Sequence, residues 1–235
     1  PTCASCRNRS SPPRTAGACV AHALSGPARG RVRPLPIAAH MSPSNIAITV
    51  ASLVCHPQTP CEAVLTIDVG ILRKGPRSLL LRYALHGGIG GLRLPSPQAP
   101  APPDRLWAHT CCEAFIAAQD GEAYSEWNFS PSGQSARYDF SAYRTRCTAC
   151  AAGAPTLAIA HDAQCLNIDA LIDVPAELGD RLRLGLSTVV EDTEGSLQFW
   201  ALRHPTGKPD FHHRDAFALP LDLAIDAAAL RERSA

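Results

Sequence analysis

No run of about 18 or more apolar residues occurs in this 235-residue sequence, so no segment has the composition of a membrane-spanning helix. Neither Pro1 nor Met41 opens the charged-then-apolar pattern of a secretory signal; the expected location is cytoplasmic, with no membrane partner. Acidic residues are missing from residues 1–40, which hold six arginines (Arg7, Arg9, Arg14, Arg29, Arg31 and Arg33). With a net charge of +1, the remainder carries −5, so the main body is not expected to bind nucleic acid. Methionine occurs once, at Met41. The expectation is that the functional protein starts there and that residues 1–40 form a disordered Arg/Pro-rich extension. A nucleic-acid arm and a transit peptide are the alternatives for that segment. Amphipathic helical spacing is absent before Ala224, while 21 prolines and 16 glycines favour turns over long helices.

What the chain does have is alternation. Ile46 to Val54 and Glu62 to Leu72 read as the first two strands, with Ala63, Leu65, Ile67, Val69 and Ile71 on one face of the second. Ser78 to His86 is a third, and Ile89 to Leu94 a short further one beyond Gly87-Gly88. Pro95 to Pro103 holds five prolines in nine residues and reads as a loop. Later strands are expected at Gln134 to Phe140, Leu157 to Ala160, Gln164 to Val174, Arg181 to Glu191 and Ser196 to Leu202. A helical turn is expected at Pro175 to Gly179, a loop from Arg144 to Pro155, and a short helix over Ala224 to Arg233 in a C-terminal tail, 224–235. About ten strands with short turns define an all-β fold, a two-layer antiparallel β-sandwich of jelly-roll-like type spanning 41–223.

The centre of this pattern is the hairpin His109 to Gln119 and Glu122 to Ser130, joined by Asp120-Gly121, a favoured pair for a two-residue turn. If Gln119 faces Glu122, then Ala117 lies opposite Tyr124, Phe115 opposite Glu126, and Glu113 opposite Asn128. Period-2 alternation places Glu113, Phe115, Tyr124, Glu126 and Asn128 on one face. Cys112, Ala114 and Ile116 oppose Phe129, Trp127 and Ser125 on the other, where small residues against large rings read as packed interior. The first face gathers two carboxylates, an amide and two rings, a mixture that binds sugars through hydroxyl hydrogen bonds and ring stacking. A solvated polar face with no ligand is the alternative.

Other groups lead to weaker chemistry. Ten cysteines without a secretion signal are expected to be reduced. Cys3-x-x-Cys6 and Cys147-x-x-Cys150 have zinc or redox spacing but lie far apart in the chain, and no metal site is assigned. His212-His213-Arg214-Asp215 reads as a solvated loop, not as a metal site. No catalytic residue is assigned. A glycoside-acting enzyme using Glu113 and Glu126 is one alternative, against which neither residue has an evident apolar setting to raise its pKa. Cys111 with His109 as nucleophile and base lacks an oxyanion hole.

Leu106-Trp107, Thr110, Glu113, Phe115, Tyr124, Glu126, Asn128, Ser130-Pro131-Ser132-Gly133, Tyr138, Phe140, Tyr143-Arg144, Phe199-Trp200-Ala201-Leu202, His204-Pro205 and Lys208-Pro209-Asp210-Phe211-His212 together resemble the DOMON-like family, whose fold is similar to the family 9 carbohydrate-binding module. The resemblance implies a β-sandwich that binds the end of a sugar chain between two tryptophans beside a glutamate. Trp107 and Glu113 reproduce the family's spacing between first tryptophan and glutamate, and Trp200 would be the second ring. One position departs: the family pattern has a tryptophan after Gln134, where this chain has Ser135.

The implied function is a non-catalytic binding domain for a carbohydrate or similar polyol. Glu113, Tyr124, Glu126 and Asn128 would serve as polar contacts, and Trp107 and Trp200 as stacking surfaces, although each tryptophan also fits an ordinary core position. No cofactor is assigned. Some DOMON relatives bind haem, and that alternative needs an axial ligand such as His109 or His204. Tyr143 and Arg144 are read as capping the sandwich edge by hydrogen bonds.

Overall fold

Three strands with the same alternation build the first layer. In β3 (Val64–Arg73) Ile67, Val69 and Ile71 turn inward, in β4 (Ser78–Gly87) Leu79, Leu81, Tyr83 and Leu85, and in β10 (Cys165–Asp173) Leu166, Ile168, Ala170 and Ile172. The computed structural model describes residues 48–97, 99, 102–148 and 153–224. With β1 (Ile48–Ser52) and β9 (Thr156–His161) at the edges, the first sheet has the order β1-β3-β4-β10-β9. All its pairings are antiparallel.

The second sheet runs β2 (Val54–Cys55), β12 (Leu197–Ala201), β11 (Arg181–Glu191), β5 (Cys111–Ala118), β6 (Tyr124–Phe129), β7 (Ser135–Ala142) and β8 (Thr145–Arg146). One edge of β11 is shared: β13 (Leu219–Asp222) pairs with Arg181 to Leu184, and β12 with Ser187 to Glu191. The inner faces of both sheets meet in one large apolar core that includes Cys112, Ala114, Ile116, Trp127 and Phe129. Burial of such faces supplies most of the drive to fold. The antiparallel two-sheet sandwich expected from the alternation is therefore the fold found.

Several elements depart from expectation. The first expected strand is two strands in different sheets: β1 pairs with β3, and past Leu53 the chain crosses so that β2 pairs with β12. Ile89–Gly91 is a 3-10 turn and not a strand, leaving Leu92 a single bridge to Asp192; two glycines in that turn remove the side chains a strand would pack. The 3-10 segment Pro103–Ala108 follows the proline-rich loop. β8 lies in a stretch expected to be loop, and β13 was not anticipated. The expected helical turn is present as Ala176–Leu178. The expectations for residues 1–40, Cys150 and 225–235 fall outside the described residues.

Candidate functional site

The pairing of β5 with β6 has the expected register: Glu113 opposite Asn128, Phe115 opposite Glu126, Ala117 opposite Tyr124. The turn is different. Residues 119–123 lie outside both strands, Gly121 alone among them has positive φ, and the Gln119 amide donates to the Arg181 carbonyl at 2.8 Å. Arg181 also pairs with Asp120 at 3.1 Å. Neighbouring β11 thus draws the backbone away from a two-residue turn, while the cross-strand register survives because the inner face still has to be apolar.

Nor is the outer face of this sheet a solvated surface. A second apolar cluster covers it, with Phe115, Tyr124, Tyr138 and Phe140 from the strands and Phe211, Ala216 and Phe217 from the segment between β12 and β13. That segment, residues 203–218, is held by polar anchors along its length. Asp210 accepts from Arg144 Nη2 at 2.8 Å and from the Tyr143 hydroxyl at 2.6 Å. Arg214 Nη2 donates to the carbonyls of Ala118 and Gln119 at 2.6 and 2.9 Å. Phe217 stacks on Phe115 with ring centroids 5.8 Å apart, and it fits because Gly185 beneath it has no side chain; a Cβ there would lie 2.6 Å from the ring.

Between this strap and the sheet is a cleft of about 410 Å³ lined by Asp104, Trp107, Glu113, Glu126, Tyr138, Phe140, Arg144, Arg146, Val189, Phe199, Pro209, Phe211 and His212. Trp107 stands at its rim, 49% exposed. Arg146 lies over the Tyr138 ring at 3.9 Å, a cation–π contact. The floor is polar, formed by Glu113 and Glu126. Glu113 is 3% exposed, and among the described residues no side chain hydrogen-bonds or ion-pairs with its carboxyl. Asn128 donates to Glu126 Oε1 at 2.6 Å.

Burial governs the charge states. It raises Glu113 well above the usual carboxylate range, and the neighbouring Glu126 adds to the rise. Glu126 is pushed up to about 7, again chiefly by burial, against the lowering effects of Asn128 and of Arg144 and Arg146. His212 is driven down to about 4 by burial, with Arg144 contributing. Both carboxyls therefore lie in the apolar setting that the sequence did not disclose, and the expectation to the contrary is corrected. The hairpin alone shows only polar neighbours; the apolar walls come from β7, β11, β12 and the strap.

Of the six expected site residues, Trp107, Glu113 and Glu126 converge on the cleft. Asn128 is buried beneath it as a partner of Glu126. Tyr124 lies on the far side of His212, with its hydroxyl 2.8 Å from His212 Nδ1, and lines an adjacent pocket. Trp200 does not reach the cleft. It pairs across the strands with Thr188, is 6% exposed, and belongs to the core between the sheets. Its neighbour Phe199, of opposite parity, is the ring that lines the cleft. Alternation along β11, with Leu186 and Thr188 inward, carries enough information to assign that parity.

Other candidates have structural partners. His109 Nδ1 is 2.7 Å from Glu191, which also pairs with Arg93 at 3.0 Å. His204 Nε2 is 2.8 Å from the Val54 carbonyl. Neither histidine lines the cleft. Burial raises the Cys111 thiol well above its usual range, the wrong direction for a nucleophile. Tyr143 and Arg144 do brace the edge through Asp210, and Arg144 also lines the cleft. Ser135 opposes Phe129 at the start of β7. Arg144, Arg146, Phe211 and His212 join the site from segments with no periodic pattern to place them. Among the described residues no cluster of His, Cys, Asp or Glu side chains is disposed to hold a metal ion, and no helix is long and apolar enough to cross a membrane.

No protein-family model and no curated protein matches this chain. Among solved structures it is similar to a "putative carbohydrate-binding protein" from Bacteroides uniformis ATCC 8492, with a TM-score of 0.53 and 14% identity over 72% of this chain and 83% of that one. A family 9 carbohydrate-binding module from Caldicellulosiruptor kristjanssonii, in complex with cellotriose, is a further match, with a TM-score of 0.42 and 12% identity over 69% of this chain and 75% of that one. At these identities the likeness concerns the fold alone, and the first match agrees with the β-sandwich expected from the sequence.

Proposed function

We propose that the cleft under the 203–218 strap binds a carbohydrate or similar polyol without acting on it. The observation that carries this reading is Glu113: an almost fully buried carboxyl, facing an open cleft, with no hydrogen-bond partner among the described residues. Its oxygens are not among the fully buried partnerless atoms of the described residues, so they open onto the cleft, where a ligand can hydrogen-bond to them. Sugar hydroxyls are suited to do so, donating to Glu113 and Glu126 while a ring face packs on Trp107 at the rim. The similar fold in Bacteroides uniformis, described as that of a "putative carbohydrate-binding protein", adds support. Isothermal titration against neutral mono- and oligosaccharides tests the reading. Saturable heat that disappears in Glu113→Ala is the expected result; a panel without any heat sinks it.

A second reading, a glycoside-acting enzyme, draws on one observation. Glu126, raised to about 7, and Glu113, also raised by burial, are diagonal neighbours, which suits an acid and base pair. Release of nitrophenol from aryl glycosides, lost in Glu126→Gln, would select it over simple binding.

A further inference from the structure

Two buried carboxyls share the floor of the cleft, and among the described residues no lysine or arginine ion-pairs with either. The charged or titratable groups facing the cleft are Asp104, Glu113, Glu126, Tyr138, Arg144, Arg146 and His212. Arg144 is already paired with Asp210 at 2.8 Å, and His212 is held neutral by burial. At the mouth, Arg146 is matched in number by Asp104. The floor is therefore the unbalanced part: Arg144 and Arg146 favour the charged form of Glu126, yet among the described residues neither arginine forms an ion pair with it or with Glu113. Around them stand Trp107, Tyr138, Phe140, Phe199 and Phe211. Aromatic faces beside carboxylates form an environment for an ammonium group, because the ring quadrupole and the carboxylates both attract it.

Resting on the saccharide reading, we infer that the ligand carries a protonated amine, as a deacetylated amino sugar does, and that this ammonium sits against Glu113 and Glu126. A neutral sugar leaves the floor protonated and gains only ordinary hydrogen bonds. An ammonium group gains charge-assisted bonds and drives the carboxyls to give up their protons to the solvent, the amine keeping its own. The two cases therefore differ in proton balance as well as in affinity.

The test is titration of the full chain at pH 6 with glucosamine oligosaccharides, their N-acetylated counterparts and neutral gluco-oligosaccharides of equal length, in buffers of different ionisation enthalpy. The expected result is affinity about tenfold higher for the free-amine sugars than for either comparison set. Binding should also release on the order of one proton per ligand. Glu113→Gln, nearly the same shape, should abolish both the preference and the release; a thermal melt establishes that it is folded. Equal or stronger binding of neutral sugars, without proton release, overturns the inference and leaves the saccharide reading standing. Failure of every sugar to bind removes that reading and this inference together. Should Glu113→Gln not fold, proton release by the unaltered protein still decides the matter.

Discussion

The phenol oxygen of Tyr124 lies 2.8 Å from Nδ1 of His212, and this bond forms part of the wall between two cavities. His212 lines both the 410 Å³ cleft and a neighbouring pocket of about 450 Å³ that Tyr124, Tyr143, Arg214 and Phe217 share. The Tyr124 oxygen already accepts from the Arg144 amide at 3.1 Å, so its own proton is directed to Nδ1. A neutral His212 then carries its proton on Nε2, 3.6 Å from Glu126 Oε2. Burial keeps Tyr124 protonated by raising it to about 12. Tyr124, His212 and Glu126 thus stand in sequence between the adjacent pocket and the floor of the cleft.

That arrangement predicts how His212 responds to acid. Its folded-state pKa of about 4 lies below the ordinary value of 6.5, so the folded form binds fewer protons than the unfolded chain between those limits. Stability from this group is full above the unfolded value and is lost as pH falls toward 4, by about 3 kcal/mol in all. His212→Asn keeps an acceptor for Tyr124 but removes the titration. Denaturant melts at pH 7.5 and 4.5 should show the variant gaining on the unaltered protein by about 2–3 kcal/mol at the lower pH. An equal difference at both values would contradict the assignment.

Glu126 tilts the curve the other way. Its pKa is raised from 4.5 to about 7, so the folded form holds its proton longer than the unfolded chain. Stability is therefore lost as pH rises from the unfolded value through the folded one, by roughly 3 kcal/mol above pH 8. Glu126→Gln should be the more stable protein at pH 8 and lose that advantage near pH 4. Because His212 acts oppositely to Glu126 and Glu113 over the window they share, melts of the unaltered protein show only the net effect; the two variants separate His212 from Glu126.

Much of this site was legible from parity, and the part that was not has a physical reason. Glu113, Phe115, Glu126 and Asn128 were placed on one face by alternation alone, and that placement holds although Asp120-Gly121 does not make the expected turn. Register depends on which face must be buried, and a loop can vary around it. The same alternation, applied across β11 and β12, would have sent Trp200 inward and Phe199 outward. What alternation could not show was the lid. Residues 203–218 are aperiodic, and only long-range contacts such as Asp210 with Arg144 and Phe217 with Phe115 reveal what they cover. Without the lid, two buried glutamates read as a solvated surface.

The docking of the strap rests on one missing side chain. Since a Cβ at position 185 would stand 2.6 Å from the Phe217 ring, Gly185→Ala forces that ring off Phe115. Overpacking of this kind costs about 1–3 kcal/mol. Gly185→Ala should melt correspondingly earlier, and adding Phe217→Leu, which frees the space, should recover part of the loss. If the double variant is simply the sum of two destabilisations, the two positions are not in contact in the way described.

The two tryptophans expected to act alike should separate cleanly. Trp107, half exposed at the rim, buries less than a core ring, so Trp107→Ala should cost no more than about 1–2 kcal/mol. Under the proposed function it should weaken saccharide binding roughly tenfold, the loss expected on truncating an aromatic contact. Trp200, buried between the sheets, should behave oppositely: Trp200→Ala leaves a large cavity and costs about 3–5 kcal/mol. Trp200→Phe fills most of that space and removes an indole nitrogen that has no partner among the described residues, so it should fold and bind normally. Binding lost in folded Trp200→Phe but kept in Trp107→Ala would move the contact surface from the rim to the core side of β12, against the geometry of the cleft.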